Sequence, residues 1–199
     1  MSGPMFFLSS LLCLSLCSFS LQSEGFLQAK GKHIVDARGE PVLLRGMGLG
    51  GWMLQESYML ELPQLGQQYK IRQAFVDLIG EEKTAEFYQA WLANHTTKAD
   101  IDAMAALGYN SVRLPMHFNL YTLPVDQEPV TGENTWLGSG FALTDQLLAW
   151  AKANKIYVIL DLHAAPGGQG NDLAISDRDP GKASLWDSAA NQQKTIALW

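Results

Sequence analysis

The feature that most constrains the fold is an apolar run that ends in two polar side chains and a turn. Residues 156–163 (IYVILDLH) are apolar from Tyr157 to Leu160, which is typical of a strand covered on both faces of a sheet. Asp161 and His163 alternate with leucines, so their side chains point to the same side. The following Pro-Gly-Gly cannot prolong the strand. Because ligands bind at the carboxyl ends of strands in helix-flanked parallel sheets, the run predicts a functional strand end.

A second strand of the same kind is predicted upstream, at residues 111–116 (SVRLPM), after a helix-like segment. Arg113 lies between Val112 and Leu114, so its side chain points away from theirs, into a barrel interior or toward a site. A charged group in such a place is rarely left unpaired. We expect a carboxylate partner, and Asp161 on the neighbouring strand is a candidate.

The amino-terminal part of the domain predicts a hairpin followed by a third strand. Residues 26–29 and 34–37 resemble short strands joined by a turn, which we expect to close the bottom of a barrel. Residues 42–50 (VLLRGMGLG) predict a strand that leads into a second glycine and Trp52, with Glu56 four residues later. Glycines beside a large aromatic indicate a close approach to a ligand.

Helical periodicity separates these strands. Apolar residues at helical spacing predict a helical insertion over residues 67–94, interrupted at Gly80. Residues 97–100 (TKAD) have the pattern of a capping box before a helix over residues 101–106. Another helix is predicted over residues 141–154. The alternation of strands and helices indicates an α/β fold with a parallel sheet.

The first residues have the pattern of a secretory leader. Residues 5–17 form an apolar run of the length of a signal-peptide core, and residues 18–20 (SFS) are suited to cleavage, so we expect residues 1–20 to be a signal peptide and the protein to be secreted. An uncleaved anchor is an alternative, but the run is short and lacks a basic flank. Lipidation of Cys17 is another alternative, against which the bulky Leu16 argues.

Composition narrows the remaining partners. Cys13 and Cys17 both lie in the leader, so the mature chain, residues 21–199, is expected to lack disulfides. The net charge of −6, from 20 acidic and 14 basic residues without a basic cluster, makes nucleic acid an unsuitable partner. No pair of ligand-type residues has metal-site spacing, and no glycine-rich turn opens a helix directly, so we expect no metal and no cofactor.

Three motifs in order along a βα repeat resemble those of glycoside hydrolase family 5, the family of cellulases and exo-β-glucanases. They are residues 45–56 (RGMGLGGWMLQE), 110–117 (NSVRLPMH) and 161–168 (DLHAAPGG). Residues 184–187 and 191–199 also resemble the helix before the family's fourth strand, so the resemblance runs from about Phe26 to the last residue.

The resemblance implies a (β/α)8 TIM barrel that hydrolyses β-glycosidic bonds with retention, using two glutamates at the ends of the fourth and seventh strands. A complete barrel takes about 250 residues, whereas this sequence has 199. We therefore expect residues 21–199 to be the amino-terminal part of such a domain, about its first three βα units, preceded by the hairpin. Both catalytic glutamates are then expected beyond Trp199, and these residues alone are expected to be inactive.

The resemblance also implies roles for particular side chains. Arg113 is expected to hold the nucleophilic glutamate ionised, since a nearby cation lowers a carboxyl pKa. His163 is expected to hydrogen-bond a sugar hydroxyl or a catalytic carboxylate, and Glu56 to bind hydroxyls of the terminal sugar. The alternatives are a structural pair between Arg113 and Asp161, a core histidine, and a solvated loop acid at Glu56.

Further candidates would contact the sugar directly. His117 and Asp161 are predicted to reach the substrate from strand ends, and the alternative for Asp161 is that it accepts a hydrogen bond that fixes the strand register. Aromatic rings pack well on the C–H faces of sugars, and we favour two of five candidates, Trp52 and Tyr58. The five are Trp52, Tyr58, Phe118, Tyr121 and Trp136.

The expected function is that of a secreted glycoside hydrolase acting on β-glucan-type polysaccharides or oligosaccharides, monomeric when complete and without a membrane partner after leader cleavage. One alternative is a non-catalytic glycan-binding or pseudogene product. Another is a barrel enzyme for mannans or lipid-linked glucosides. The glycine-tryptophan pattern with Glu56 favours an exo-acting glucanase relative.

Overall fold

The computed structural model describes residues 25–199, which fall into two compact units that divide between Leu43 and Leu44. The predicted signal peptide and both cysteines lie outside the described residues. In the first unit, β1 (Gln28–Lys30) and β2 (His33–Val35) pair antiparallel. The turn after β2 is closed by the Asp36 carboxylate, which accepts hydrogen bonds from two backbone N–H groups.

The second unit contains a parallel three-stranded sheet in the order β3-β4-β5. Its strands are β3 (Gly46–Gly48), β4 (Ser111–His117) and β5 (Tyr157–Ala164). The predicted α/β class with a parallel sheet is confirmed. The first of these strands is much shorter than the nine residues predicted, because after β3 the chain turns toward the helical insertion and only Leu49 N still donates to the Arg113 carbonyl, at 2.9 Å.

Five helices surround or extend this sheet within residues 44–199. They are α1 (Gln68–Ile79), α2 (Glu81–Asn94), α3 (Lys98–Ala106), α4 (Gly138–Ala153) and α5 (Ala189–Leu198). The predicted break at Gly80 is confirmed, and this residue has a φ of 82° that suits glycine. The predicted capping box is also present, since Thr97 N donates to Asp100 Oδ2 at 2.8 Å, but its helix begins at Lys98 rather than at residue 101.

The core lies between the sheet and the helices α3 and α4. Val112 and Leu114 of β4 are completely buried against Ile101 of α3 and Leu147 of α4. Burying an aliphatic side chain of this size contributes about 1.5–3 kcal/mol. The alternation along β4 therefore places Val112 and Leu114 in the core and the Arg113 side chain on the opposite face of the sheet.

The outer strand β5 corrects one expectation. The run of residues 157–160 was expected to be covered on both faces, yet Ile159 and Leu160 are 42% and 40% exposed. The reason is their position on the last strand of the described sheet, where one edge has no neighbouring strand among residues 25–199. An apolar cavity of about 160 Å³ lies beside this strand, between Leu162 and the end of α5 at Leu198.

A buried ion pair ties α5 to the segment between β4 and α4. The Lys194 ammonium donates to the Glu128 carboxylate and, at 3.1 Å, to Thr122 Oγ1. The backbone N–H of Thr135 lies 3.1 and 3.0 Å from the two oxygens of the same carboxylate. Both charged side chains are almost completely buried, so each depends on the other for its charge to be compensated.

This pair predicts a loss of stability in acid. Burial alone raises the pKa of Glu128, but Lys194 and the hydrogen bonds from Thr135 outweigh it and lower the pKa from 4.5 to about 2. A carboxyl with a lowered pKa in the folded protein stabilises it fully above pH 4.5 and loses that contribution as the pH falls toward 2. We expect the free energy of unfolding, from urea titrations, to decline over this interval, and to decline less in Glu128→Gln. An unchanged decline in the variant would contradict the assignment.

Candidate active site

Four predicted side chains meet at the carboxyl ends of the strands. Arg113 is opposite Ile159 in the register, so its side chain reaches diagonally to Asp161, with 2.5 Å between Nη2 and Oδ2. The same Nη2 lies 2.9 Å from His163 Nδ1, which is itself 2.9 Å from Asp161 Oδ2. On the other side of the imidazole, His163 Nε2 lies 3.7 Å from Glu56 Oε1. The predicted pairing of Arg113 with Asp161 is confirmed, and it includes His163.

One nitrogen of the His163 ring has two partners of opposite character. Arg113 Nη2, which can only donate, and Asp161 Oδ2, a carboxylate acceptor, both lie 2.9 Å from His163 Nδ1. Arg113 Nη2 thus contacts both the imidazole and the Asp161 carboxylate. The other ring nitrogen, Nε2, faces Glu56 at a distance longer than a direct hydrogen bond.

The cluster opens to solvent in one direction. The Glu56 side chain is 8% exposed and that of Arg113 is 45% exposed, with His163 and Asp161 between these values. The predicted alternative of a solvated loop acid at Glu56 is therefore wrong. A nearly buried carboxylate that has no direct hydrogen bond to the imidazole retains acceptor capacity for another donor, such as a hydroxyl group.

The helical insertion positions Glu56 through its neighbour. Gln55 N donates to Gln68 Oε1 of α1 at 2.6 Å, and the Tyr88 hydroxyl of α2 donates to Gln55 Oε1 at 2.8 Å. Burial raises the pKa of Tyr88 to about 12, so its hydroxyl keeps the proton it donates. Helix α1 thus holds the backbone of Gln55 and α2 holds its side chain, directly before Glu56 in the chain.

Gln169 positions the other side of the cluster, and sequence reasoning missed it. Its side-chain amide donates to the His163 carbonyl at 2.6 Å and accepts from Ala165 N at 3.0 Å. The backbone carbonyl of Gln169 accepts from Trp186 Nε1 at 2.8 Å. The sequence signal by which Gln169 could have been found is an amide side chain directly after a Pro-Gly-Gly turn.

The turn after β5 depends on a glycine. Gly167 has a φ of 81°, and a Cβ there would lie 2.3 Å from Asn191 Nδ2 and 2.8 Å from the Ala183 carbonyl. We expect Gly167→Ala to lower the free energy of unfolding by about 1–3 kcal/mol, through backbone strain and this overlap. Gly138→Ala is the matched control, because a Cβ at that residue meets nothing within 4 Å. Equal urea midpoints for the two variants would contradict the expectation.

The two favoured stacking residues differ in outcome. Trp52 is 1% exposed, and its indole N–H donates to the Leu92 carbonyl at 2.8 Å, so its ring belongs to the core and the prediction of a stacking surface is wrong. Tyr58 is 60% exposed. A hydrogen bond to Glu56, followed by burial and nearby carboxylates, raises the pKa of its phenol. Tyr58 therefore places an exposed ring at the open side of the cluster.

His117 also needs a new interpretation. Its ring is buried, Nε2 lies 2.9 Å from Asp177 Oδ2, and Nδ1 accepts from Asn119 N at 3.2 Å. Because both ring nitrogens are engaged by the protein, neither is available to a sugar, and the predicted substrate contact is wrong. The ring instead joins the end of β4 to the segment after β5.

Two features are absent from residues 25–199. No group of three or more histidine, cysteine, aspartate or glutamate side chains there is arranged to hold a metal ion. No helix in that part of the chain is long and apolar enough to cross a bilayer.

Comparison with known proteins finds several relatives that are named as glycosidases. A β-xylosidase of Phanerodontia chrysosporium is 35% identical over 174 residues, covering 87% of this chain and 35% of that protein. The probable glucan 1,3-β-glucosidase A of Aspergillus niger is 30% identical, covering 80% of this chain and 37% of its own. Glucan 1,3-β-glucosidase 1 of Schizosaccharomyces pombe is 29% identical, with 82% and 38% covered. The chain thus spans well under half the length of these relatives.

A solved structure and a family model complete the comparison. The crystal structure of rutinosidase from Aspergillus niger matches 77% of this chain and 41% of its own with a TM-score of 0.57 at 21% identity, which is a likeness of fold. The family model for cellulase, glycosyl hydrolase family 5, matches residues 71–196. This match includes β4, β5 and three of the four clustered side chains. The chain belongs to glycosyl hydrolase family 5, the cellulase family.

Proposed function

We propose that the protein containing this chain is a secreted glycoside hydrolase that cleaves β-glucan-type polysaccharides or oligosaccharides with retention of configuration. The observation that carries the proposal is the cluster of Glu56, Arg113, Asp161 and His163 at the carboxyl ends of parallel strands in a family 5 chain. Two relatives named glucan 1,3-β-glucosidase support the choice of a β-glucan.

In this proposal the three parallel strands are the first part of a (β/α)8 barrel, preceded in the chain by the β1–β2 hairpin. The parallel order β3-β4-β5 with helices between the strands supports it. Residues 1–20 are a signal peptide that directs secretion, and the complete protein acts as a monomer.

Retaining hydrolysis requires two carboxyl groups about 5–5.5 Å apart on either side of the scissile bond. One protonates the leaving oxygen, the other attacks the anomeric carbon, and water then releases the sugar. Asp161 Oδ2 is committed to Arg113 and lies beside His163, so it orients its neighbours rather than attacking a sugar. The two catalytic glutamates are supplied by a part of the protein outside these 199 residues.

The cluster then binds and orients the substrate. Glu56 accepts hydrogen bonds from sugar hydroxyls, and His163 Nε2, which is 3.7 Å from Glu56 Oε1, hydrogen-bonds a sugar oxygen or a catalytic carboxylate that approaches from the open side of the cluster. Arg113 directs its exposed N–H groups toward the nucleophile, which favours the ionised form of that carboxyl. Tyr58 packs its exposed ring against the sugar.

The test compares the longer protein with the 199-residue chain on a β-1,3-glucan. We expect the longer protein to release a sugar whose first-formed anomer, followed by NMR, is the β form, and the 199-residue chain to release none. A first-formed α anomer would reject retention. A longer protein that leaves β-glucans intact, or turnover by the 199-residue chain, would reject the proposed substrate or the proposed division of the site, respectively.

A further inference from the structure

A second cleft, with a volume of about 550 Å³, lies between the residues that follow β4 and those that follow β5. None of the four clustered side chains lines it, so it is separate from the candidate active site. A pocket of several hundred cubic ångströms is in the range of small-ligand sites. Its walls include two aromatic and several polar side chains, namely Tyr69, Phe118, Asn119, Asp126, Gln127 and Lys182.

The buried pair of His117 and Asp177 holds the two aromatic residues in place. The Phe118 ring stacks on the His117 ring, with 5.1 Å between centroids and 29° between planes. Asp177 Oδ1 accepts from the backbone N–H of Tyr69 at 3.0 Å, at the start of α1. Asp177 does this from a φ of 47°, a conformation that non-glycine residues rarely adopt. The Phe118 ring and the backbone of Tyr69 are therefore positioned by contacts within the protein.

The charges of the cleft disfavour an anion. Its walls include three aspartates and one lysine, and the ammonium of Lys182 is already paired with Asp126 at 2.7 Å. Asp177 is engaged by His117, and Asp179 Oδ1 accepts from Gly181 N at 2.9 Å. No cation of the cleft is left without a carboxylate among the described residues, whereas carboxylate oxygens are left to accept from hydroxyl groups.

Neutral hydrogen-bonding groups complete the lining. The side-chain amides of Asn119 and Gln127 make no hydrogen bond within residues 25–199, so both can donate to and accept from a ligand. Burial, then the carboxylates of Asp179 and Asp177, raise the pKa of the Tyr69 phenol, which therefore remains a donor. Aromatic faces beside amides, carboxylates and a phenol match the alternating C–H faces and hydroxyl rims of a sugar ring.

We propose that this cleft binds a neutral sugar unit of a glucan, as a carbohydrate site separate from the candidate active site. Tyr69 and Phe118 form its apolar walls, and Asn119 and Gln127 bind hydroxyl groups. The choice of a β-glucan sugar rests on the proposed function. The existence of a neutral-ligand cleft rests on the geometry alone.

The experiment is a titration of the 199-residue chain with a β-1,3-linked glucose trisaccharide, followed by nitrogen-15 NMR. The side-chain amide signals of Asn119 and Gln127 report on the cleft, and the His163 imidazole reports on the candidate active site. We expect the two amide signals to shift with sugar. Tyr69→Leu should raise the dissociation constant measured from them about tenfold. Gln89→Ala, an exposed residue of α2 outside the cleft, is the control and should leave it unchanged.

Tyr69→Phe keeps the ring and guards against loss of folding in the leucine variant, so it should bind within about threefold of the wild type. Amide signals that do not move at millimolar sugar overturn the proposal. So does a Tyr69→Leu variant that binds like the wild type. A shift at His163 alone would support the proposed function while overturning the second site. Shifts at Asn119 and Gln127 alone would support the second site, and the proposed function would still be decided by the activity of the longer protein.

Discussion

Replacing Lys194 by methionine is expected to lower the free energy of unfolding by about 3–5 kcal/mol. The substitution keeps the length of the side chain but removes the ammonium that donates to the buried Glu128 carboxylate and to Thr122. The carboxylate is then left in the interior with only hydrogen bonds from Thr135 and, at 3.5 Å, from the Thr122 hydroxyl for compensation. Because α5 is attached to the segment before α4 through this pair, we expect urea titrations to show an earlier transition.

Two variants make this expectation specific to burial. Lys182→Met removes the exposed partner of Asp126 and should cost at most about 1 kcal/mol, since solvated ion pairs contribute little. Combining Lys194→Met with Glu128→Leu removes both buried charges and should recover most of the lost stability. If Lys194→Met and Lys182→Met shift the urea midpoint equally, the buried pair does not carry the stability assigned to it.

Arg113→Ala in the longer protein is expected to reduce kcat on a β-glucan by at least about 100-fold. Loss of the guanidinium releases both Asp161 Oδ2 and His163 Nδ1, so the imidazole loses a contact that holds its ring in place. A displacement of about 1 Å at reacting groups is enough for a 100-fold loss. The effect should be larger on kcat than on KM, because Glu56 and Tyr58, the proposed sugar contacts, are unchanged in this variant.

Arg72→Ala is the matched control for this variant. Arg72 also pairs with a carboxylate, that of Glu81, but this exposed pair joins α1 to α2 and is not one of the four clustered side chains. Its removal should leave kcat within about twofold of the wild type. Arg113→Lys keeps a positive charge but not the planar fork that serves two acceptors, so it should recover only part of the turnover. Wild-type kcat in Arg113→Ala would refute the assigned role.

The part of the site that sequence predicts is the part set by strand alternation. Arg113 between two apolar residues, and Asp161 two residues before His163, place all three side chains on one face of adjacent parallel strands. The strand register brings these side chains into contact, because a residue diagonally opposite on the next strand is within reach of a guanidinium. The break at Gly80 and the capping box at Thr97 were likewise readable, since each depends on local backbone chemistry.

Contacts between distant segments could not be predicted from the local sequence pattern. Glu128 and Lys194 are 66 positions apart and Gln55 and Tyr88 are 33 apart, and neither pair has a local signature. Trp52 was assigned to a sugar surface because an aromatic beside glycines fits both a ligand site and a core. Its burial follows from packing by α2, which no single-segment pattern specifies.

The parallel order of the sheet also bears on how the chain assembles in time. The α1–α2 pair joins neighbouring segments, with Phe75 and Phe87 in contact at 4.4 Å, and such short-range contacts form early. Pairing β3 with β4 brings together residues that are 65 positions apart, as in the hydrogen bond from Arg45 N to Asn110, and loop-closure entropy opposes it. We therefore expect α1 and α2 of the helical insertion to form before β3 pairs with β4. On this expectation Glu56 reaches His163 only after β3 has paired with β4, the strand pairing of greatest sequence separation among residues 25–199.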